Sequence, residues 1–332
     1  MLRLRPANTR TALAALLLSL TAAVFLAGRL VLADRLPGTG VTVALAGDIL
    51  LDRGVAREIE AHGLSYPLDG VAPLLRGADL AFANLEGPLT DRGGPLPKQF
   101  VFRASPKAAV TLKRAGLGVL SLANNHTLDY GPEGLVDTVA WLERQGVATV
   151  GAGPDRARAR QPRLVRVRGL TLAFLAFNGF PNEVLVPVST EPSVASLETA
   201  SLAADVAAAR RMADVVIVSF HWGAEFSQAP SEGQRRLAHE VIDAGATLVV
   251  GHHPHVLQPI EEYHGGLIAY SLGNLVFDQS RPETTQSVVL MVRLTRAGLE
   301  GWDVVPLTIS ECRPRPATGA EGEAVRGLLG AR

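Results

Sequence analysis

A single cysteine, Cys312, stands in 332 residues, which excludes an intrachain disulfide and any thiolate metal site. A metal, if bound, must be held by His, Asp, Glu or Asn. Charge of one sign is equally missing. The 32 basic and 32 acidic residues balance, so no global field draws nucleic acid, and no basic tract with interleaved aromatics does so locally. Nucleic acid is therefore discounted as a partner. The chain shows no internal repeat of about 20 to 50 residues and, beyond an Ala/Arg bias, no low-complexity segment. Length is not limiting, since the chain can bury one large core or two small ones.

What the sequence does have, near its start, is a long apolar run. Arg3, Arg5 and Arg10 precede "TALAALLLSLTAAVFLAG" (11–28), which carries no charge, and Arg29 and "LVLA" follow. An uncharged stretch of about 18 residues or more reads as a membrane span, whereas signal-peptide cores run about 7 to 15. Residues 11–33 are expected to form an uncleaved membrane anchor with residues 1–10 in the cytoplasm and everything after Arg29 outside, as the basic N-terminal flank dictates. The alternative is a signal peptide removed before Asp34, with the small Val31 and Ala33 ahead of the cut and a secreted product. No cysteine adjoins the run to carry a lipid anchor.

After a Pro/Gly joint at 35–40, apolar β-rich runs alternate with amphipathic stretches, the pattern of an α/β domain. Strands are expected at 41–47, 79–86, 116–123, 214–220, 247–251 and 266–273, and helices at 106–116, 132–146, 197–213 and 231–245. Pro near the start and Gly past the end support the first two helices, and Ser231 with Glu232 supports the fourth. Residues 163–177 and 287–309 each place a Gly-containing turn between alternating runs and predict antiparallel hairpins beside the parallel strands. Residues 151–162 and 178–193 read as long loops, and 311–332 as a poorly patterned tail.

The polar residues fall in an order that composition alone does not produce. Asp48 ends the first strand, Glu86 the second, Asn125 with His126 the third, and His221 the fourth; "GHHPHV", with His252, His253 and His255, ends the fifth. The C-terminal ends of strands are where open α/β sheets gather ligand sites. Taken singly, Asp48 also fits a turn or helix cap, His221 a hydrogen-bonded core histidine, and Asp129 a turn ahead of Pro132. One metal site explains them together, whereas a purely structural protein needs a separate reason at every strand end and predicts no metal. A mixed His/Asp/Glu/Asn set suits a divalent cation of the Zn, Mn or Fe type. His253 and His255, one residue apart, are expected to point to one face of an extended segment.

"AGDILLDRGV", "FANLEGPLT", "LANNHTLDYG", "FHWGAEF", "GHHPHVLQPIE" and "YSLGNLVFD" occur in an order that resembles the CapA/PgsA-like capsule synthesis family of poly-gamma-glutamate biosynthesis, itself similar to calcineurin-like metallophosphoesterases. The likeness runs from about residue 41 to 310. It implies an α/β, metallophosphoesterase-like sandwich of two mixed β-sheets flanked by helices, with the N-terminal membrane helix in front. It also implies metal ligands at Asp48, Glu86, Asn125, His221, His253 and His255. One centre would use Glu86, Asn125, His221 and His253, and another Asp48, Glu86 and His255, for one or two ions. Leu50 stands where that pattern has a histidine, and Asp52 is a candidate substitute. The same likeness gives His126 the role of a substrate-facing acid, with Asp129 orienting it. Trp222, Glu225, His252 and Asn274 are candidate substrate contacts.

Two functions follow: a metal-dependent hydrolase acting on a phosphoester or an anionic surface polymer, or a non-enzymatic accessory or polymer-binding component working with membrane synthase subunits.

Overall fold

The computed structural model describes residues 40–180 and 191–330. The expected anchor at 11–33 lies outside the described residues, as does most of the expected loop at 178–193. Among the described residues no helix is long and apolar enough to cross a membrane.

The strands in chain order are β1 (Val41–Ile49), β2 (Leu80–Leu85), β3 (Leu117–Ser121), β4 (Ala148–Val150), β5 (Ala152–Gly153), β6 (Arg163–Val167), β7 (Leu170–Asn178), β8 (Ser193–Val194), β9 (Val215–His221), β10 (Leu248–His252), β11 (Ile260–Tyr263), β12 (Gly266–Ala269), β13 (Asn274–Val276), β14 (Gln286–Thr295), β15 (Gly298–Ser310) and β16 (Arg313–Pro316). The helices are α1 (Arg53–His62), α2 (Tyr66–Asp69), α3 (Ala72–Gly77), α4 (Ala108–Ala115), α5 (Gly131–Arg144), α6 (Arg156–Ala159), α7 (Thr199–Arg210), α8 (Glu232–Asp243) and α9 (Gly319–Leu328).

Two mixed sheets face each other. The first has the order β16-β15-β14-β1-β2-β3-β4, with β13 also pairing β1, and the second β11-β12-β10-β9-β7-β6. Strands β1 to β4 run parallel, as do β7, β9, β10 and β12. The expected hairpins are present: β6 pairs β7 and β14 pairs β15, both antiparallel.

Side-chain alternation along β1 explains the layering. Val43 and Leu45 point into the core between the sheets, which the second sheet fills with Leu172, Phe174, Ile217 and Val250. Ala44 and Ala46 point the other way, onto Leu68, Leu75, Leu112 and Leu142 of α2 to α5. Helices α7 and α8 cover the opposite outer face through Leu202, Val206, Leu237 and Val241. Helix α8 starts at a reciprocal cap in which Ser231 Oγ accepts from Gln234 N and Gln234 Oε1 accepts from Ser231 N, satisfying donors the helix itself cannot.

Two expectations are corrected. The segment expected as a tail folds: β16 extends the first sheet, and α9 buries Val325 in the central core, as does Leu329 just beyond it. Residues 151–162 are not an unbroken loop, since they contain β5 and α6.

Candidate metal centre

The parallel strands of both sheets deliver their C-terminal ends to one place. Register sets Asp48 beside Asn84 and Asn274, and His252 beside His221. Strand β1 approaches β13 so closely that a Cβ at Gly47 would lie 2.0 Å from Gly273 O; only glycine allows this approach.

Asp48 is fully buried. Its Oδ1 accepts from Asn84 Nδ2 at 2.8 Å and its Oδ2 from His253 N at 3.1 Å. Ligand atoms of Asp48, Glu86 and His221 all lie within 4.8 Å of one another. His221 Nε2 is 2.9 Å from Asn125 Oδ1 and 3.2 Å from His253 Nδ1. His255 Nδ1 sits 3.4 Å from Asp48 Oδ2, and its Nε2 3.7 Å from Glu86 Oε1. The residues expected as ligands are therefore neighbours.

The two histidines get there by a route other than the expected extended segment. His253 has φ +94° and His255 φ +58°, left-handed conformations that cost about 1 to 3 kcal/mol each for a side chain of this kind. A turn through Pro254, not a strand, aims both rings inward.

A divalent cation fits this donor set. Glu86 Oε2 is buried with no hydrogen-bond partner, an arrangement that is costly unless a cation or proton meets it. Burial, with Asp48 and Glu225 nearby, pushes the Glu86 carboxyl up to about 8 even against His255. Burial alone would lower His255, but Glu86, Asp48 and the Asn274 contact raise it to about 9. Burial also opposes ionisation of Asp48, yet the imidazoles of His252 and His255 hold its carboxyl well below the usual range. Burial and the neighbouring imidazoles keep His221 well below the ordinary histidine range and His253 at about 3. Both are thus in the neutral form that binds metal.

His126 also approaches Glu86, its Nε2 3.9 Å from Glu86 Oε1. Its Nδ1 is 2.8 Å from Asp129 Oδ2. Asp129 also accepts from Phe102 N at 2.7 Å and pairs with Lys98 Nζ at 2.5 Å. Burial lowers the His126 pKa despite Asp129, so at neutral pH the ring is uncharged, with Nε2 on the side of Glu86.

The expected substrate contacts are placed differently from one another. Glu225 is exposed beside the site. Trp222 is buried, stacks on Phe220 at 4.5 Å and donates from Nε1 to Tyr270 O, so it packs and does not wall a cavity. His252 is fully buried behind Asp48, its Nδ1 3.2 Å from Oδ1, and is not presented to a substrate. Asn274 is also fully buried, its Oδ1 3.0 Å from His255 Nδ1; it orients the His255 ring and is not presented to a substrate. Asp52 does not replace a ligand. It caps α1 and accepts from Arg53 N and Arg103 N.

Three residues at the site carried no role in the sequence reading. Asn84 and Asn124 link the ends of β1, β2 and β3: Asn124 Nδ2 donates to Asn84 Oδ1 at 3.0 Å, and Asn124 Oδ1 accepts from His126 N. Lys98, besides its ion pair, donates to Asn125 O at 2.7 Å. Asn84 and Asn124 share the strand-end signal with the candidate ligands, whereas Lys98 comes from a polar stretch without periodicity.

This chain is similar to several known proteins. The profile of a family described as bacterial capsule synthesis protein PGA_cap matches residues 42–279. The PGA biosynthesis protein CapA of Bacillus subtilis (strain 168) is 34% identical over 279 residues, covering 83% of this chain and 73% of that protein. A probable polyglutamine synthesis accessory protein of Mycobacterium tuberculosis is 30% identical, covering 87% of this chain and 90% of its own. Among solved structures, a hypothetical protein from Thermus thermophilus shares the fold with TM-score 0.51 at 17% identity, covering 81% of this chain and 100% of that one.

Proposed function

The chain belongs to the bacterial capsule synthesis protein family PGA_cap, and from that premise we propose that it is a divalent-metal hydrolase of surface-polymer synthesis, working outside the cytoplasm. The observation that carries the hydrolase reading is the meeting of Asp48, Glu86 and His221 within 4.8 Å, beside a neutral His126 fixed by Asp129. A cation held by Asp48, Glu86, Asn125, His221 and His253, with His255 adjoining, supplies Lewis-acid polarisation of a phosphoryl or carbonyl oxygen.

The remaining chemistry belongs to the chain's own residues. Asp129 Oδ2 accepts a hydrogen bond from His126 Nδ1–H and fixes the tautomer, leaving Nε2 to exchange a proton with the reacting groups. Lys98 secures Asp129. Phe102, at 4.1 Å from the His126 ring centroid, and Phe277, at 4.6 Å from that of His255, keep water from those faces. The substrate class that suits this site is an anionic polymer or a phosphoester, whose charge a bound cation would meet.

A second reading, an accessory component whose metal site binds polymer without turnover, is favoured by the name carried by the mycobacterial relative. Turnover separates the two. The full chain, loaded with manganese or zinc, should cleave bis(p-nitrophenyl) phosphate or shorten poly-gamma-glutamate, and His126→Ala should not. Metal-loaded protein inert toward both would favour the accessory reading.

A further inference from the structure

More metal-competent side chains meet at this site than the four to six donors, roughly, that one zinc or manganese ion takes, so the site poses the question of one cation or two. The donors divide unequally about Glu86. On one flank Asp48, Glu86 and His221 converge, and Asn125 Oδ1 and His253 Nδ1 adjoin His221 Nε2. On the other flank Asp48 and Glu86 are shared, Asp48 Oδ2 lying 3.4 Å from His255 Nδ1, and the donors not already counted are the imidazoles of His126 and His255, whose Nε2 atoms approach Glu86 Oε1 at 3.9 and 3.7 Å. Each has its Nδ1 engaged elsewhere, by Asp129 and by Asn274.

What lies around those two rings is apolar. Phe102 packs on His126 and Phe277 on His255, and Leu50, fully buried, forms a cluster with both phenylalanines. Over the two phenyl rings sits the Arg53 guanidinium, 4.8 and 5.5 Å from their centroids, paired with Asp278. A cation on this flank would meet two donors of its own, carboxylates already shared with the first flank, and a hydrocarbon wall backed by the Arg53–Asp278 pair. Desolvating a divalent ion there lacks the compensation that the first flank provides.

Resting on the metal reading above, we infer that the centre holds a single cation, and that the Leu50–Phe102–Phe277 plug is what limits it to one. Leu50 follows Asp48 by two residues at the end of β1, so an imidazole at that position would bring a nitrogen to the flank shared by Glu86, His126 and His255. The plug is then a determinant of stoichiometry and not merely core.

The test is elemental analysis of the purified full chain after equilibration with manganese or zinc and removal of excess, beside Leu50→His and His221→Ala, with circular dichroism to certify that each is folded. The expected contents are one ion per chain in the parent, a rise toward two in Leu50→His, and loss in His221→Ala. Two ions in the parent would overturn the single-cation inference while leaving the hydrolase reading intact, whereas none in the parent would overturn both. A folded Leu50→His that stays at one ion would overturn the role given to the plug.

Discussion

Asp129 Oδ2 lies 2.8 Å from His126 Nδ1, three positions along the chain, although neither belongs to a helix or strand. The pairing leaves one ring nitrogen of His126 for chemistry, and it ties that nitrogen's direction to a carboxylate that is not itself a candidate ligand. His126→Ala should therefore lower turnover of a phosphodiester by about 100-fold or more, the usual scale of a positioned proton-transfer group, while metal content stays unchanged. Parallel kinetics and elemental analysis check this; equal loss of metal and activity would make His126 a ligand.

The same carboxylate is a structural liability without its partner. Asp129 is fully buried and Lys98 partly so, and removing one member of such a pair leaves an uncompensated charge worth about 3 to 5 kcal/mol. Lys98→Met should lower the urea midpoint accordingly. A midpoint within error of the parent would show that Phe102 N and His126 suffice to hold Asp129.

Asn84 should matter to the metal without touching it. It donates to Asp48 Oδ1 and accepts from Asn124, so Asn84→Ala releases the carboxylate to rotate and strands two buried groups. Loss of such an orienting partner typically costs about 10- to 100-fold in metal affinity. Competition titration against a chelating dye measures it, and unchanged affinity would show that β1 alone fixes Asp48.

Binding of the cation should eject protons. Glu86 is raised to about 8 by burial, and His255 to about 9 against burial by its carboxylate neighbours. The pair therefore retains a proton at neutral pH that the cation displaces. The sign follows: apparent affinity rises as pH climbs toward about 8 to 9 and falls as pH drops, because protons compete with metal. Calorimetry in phosphate and in Tris should give different heats, and identical heats would contradict the assignment.

Much of this was legible in the sequence, for a physical reason. A buried apolar strand that ends abruptly in Asp48, Glu86 or His221 announces polar groups that need partners, and parallel strands end on the same rim. The turn at His253 and His255 was not legible, because two left-handed residues carry no signal when neither is glycine. Lys98 was missed since its partner is 31 residues away and its own stretch has no period. The C-terminal segment was misread because Pro314 and Pro316 look like linker residues, yet proline is tolerated on an edge strand, where no inward N–H is required, and β16 is such an edge. Trp222 follows His221, and nothing in the sequence says on which side of the strand end it packs.

The central claim is that one cation joins residues from five strand ends. Anomalous diffraction from a crystal soaked with manganese or zinc tests it most directly. The account predicts one peak, within inner-sphere distance of Asp48, Glu86 and His221 and adjoining Asn125 and His253; a peak elsewhere, or none at saturating metal, would contradict it.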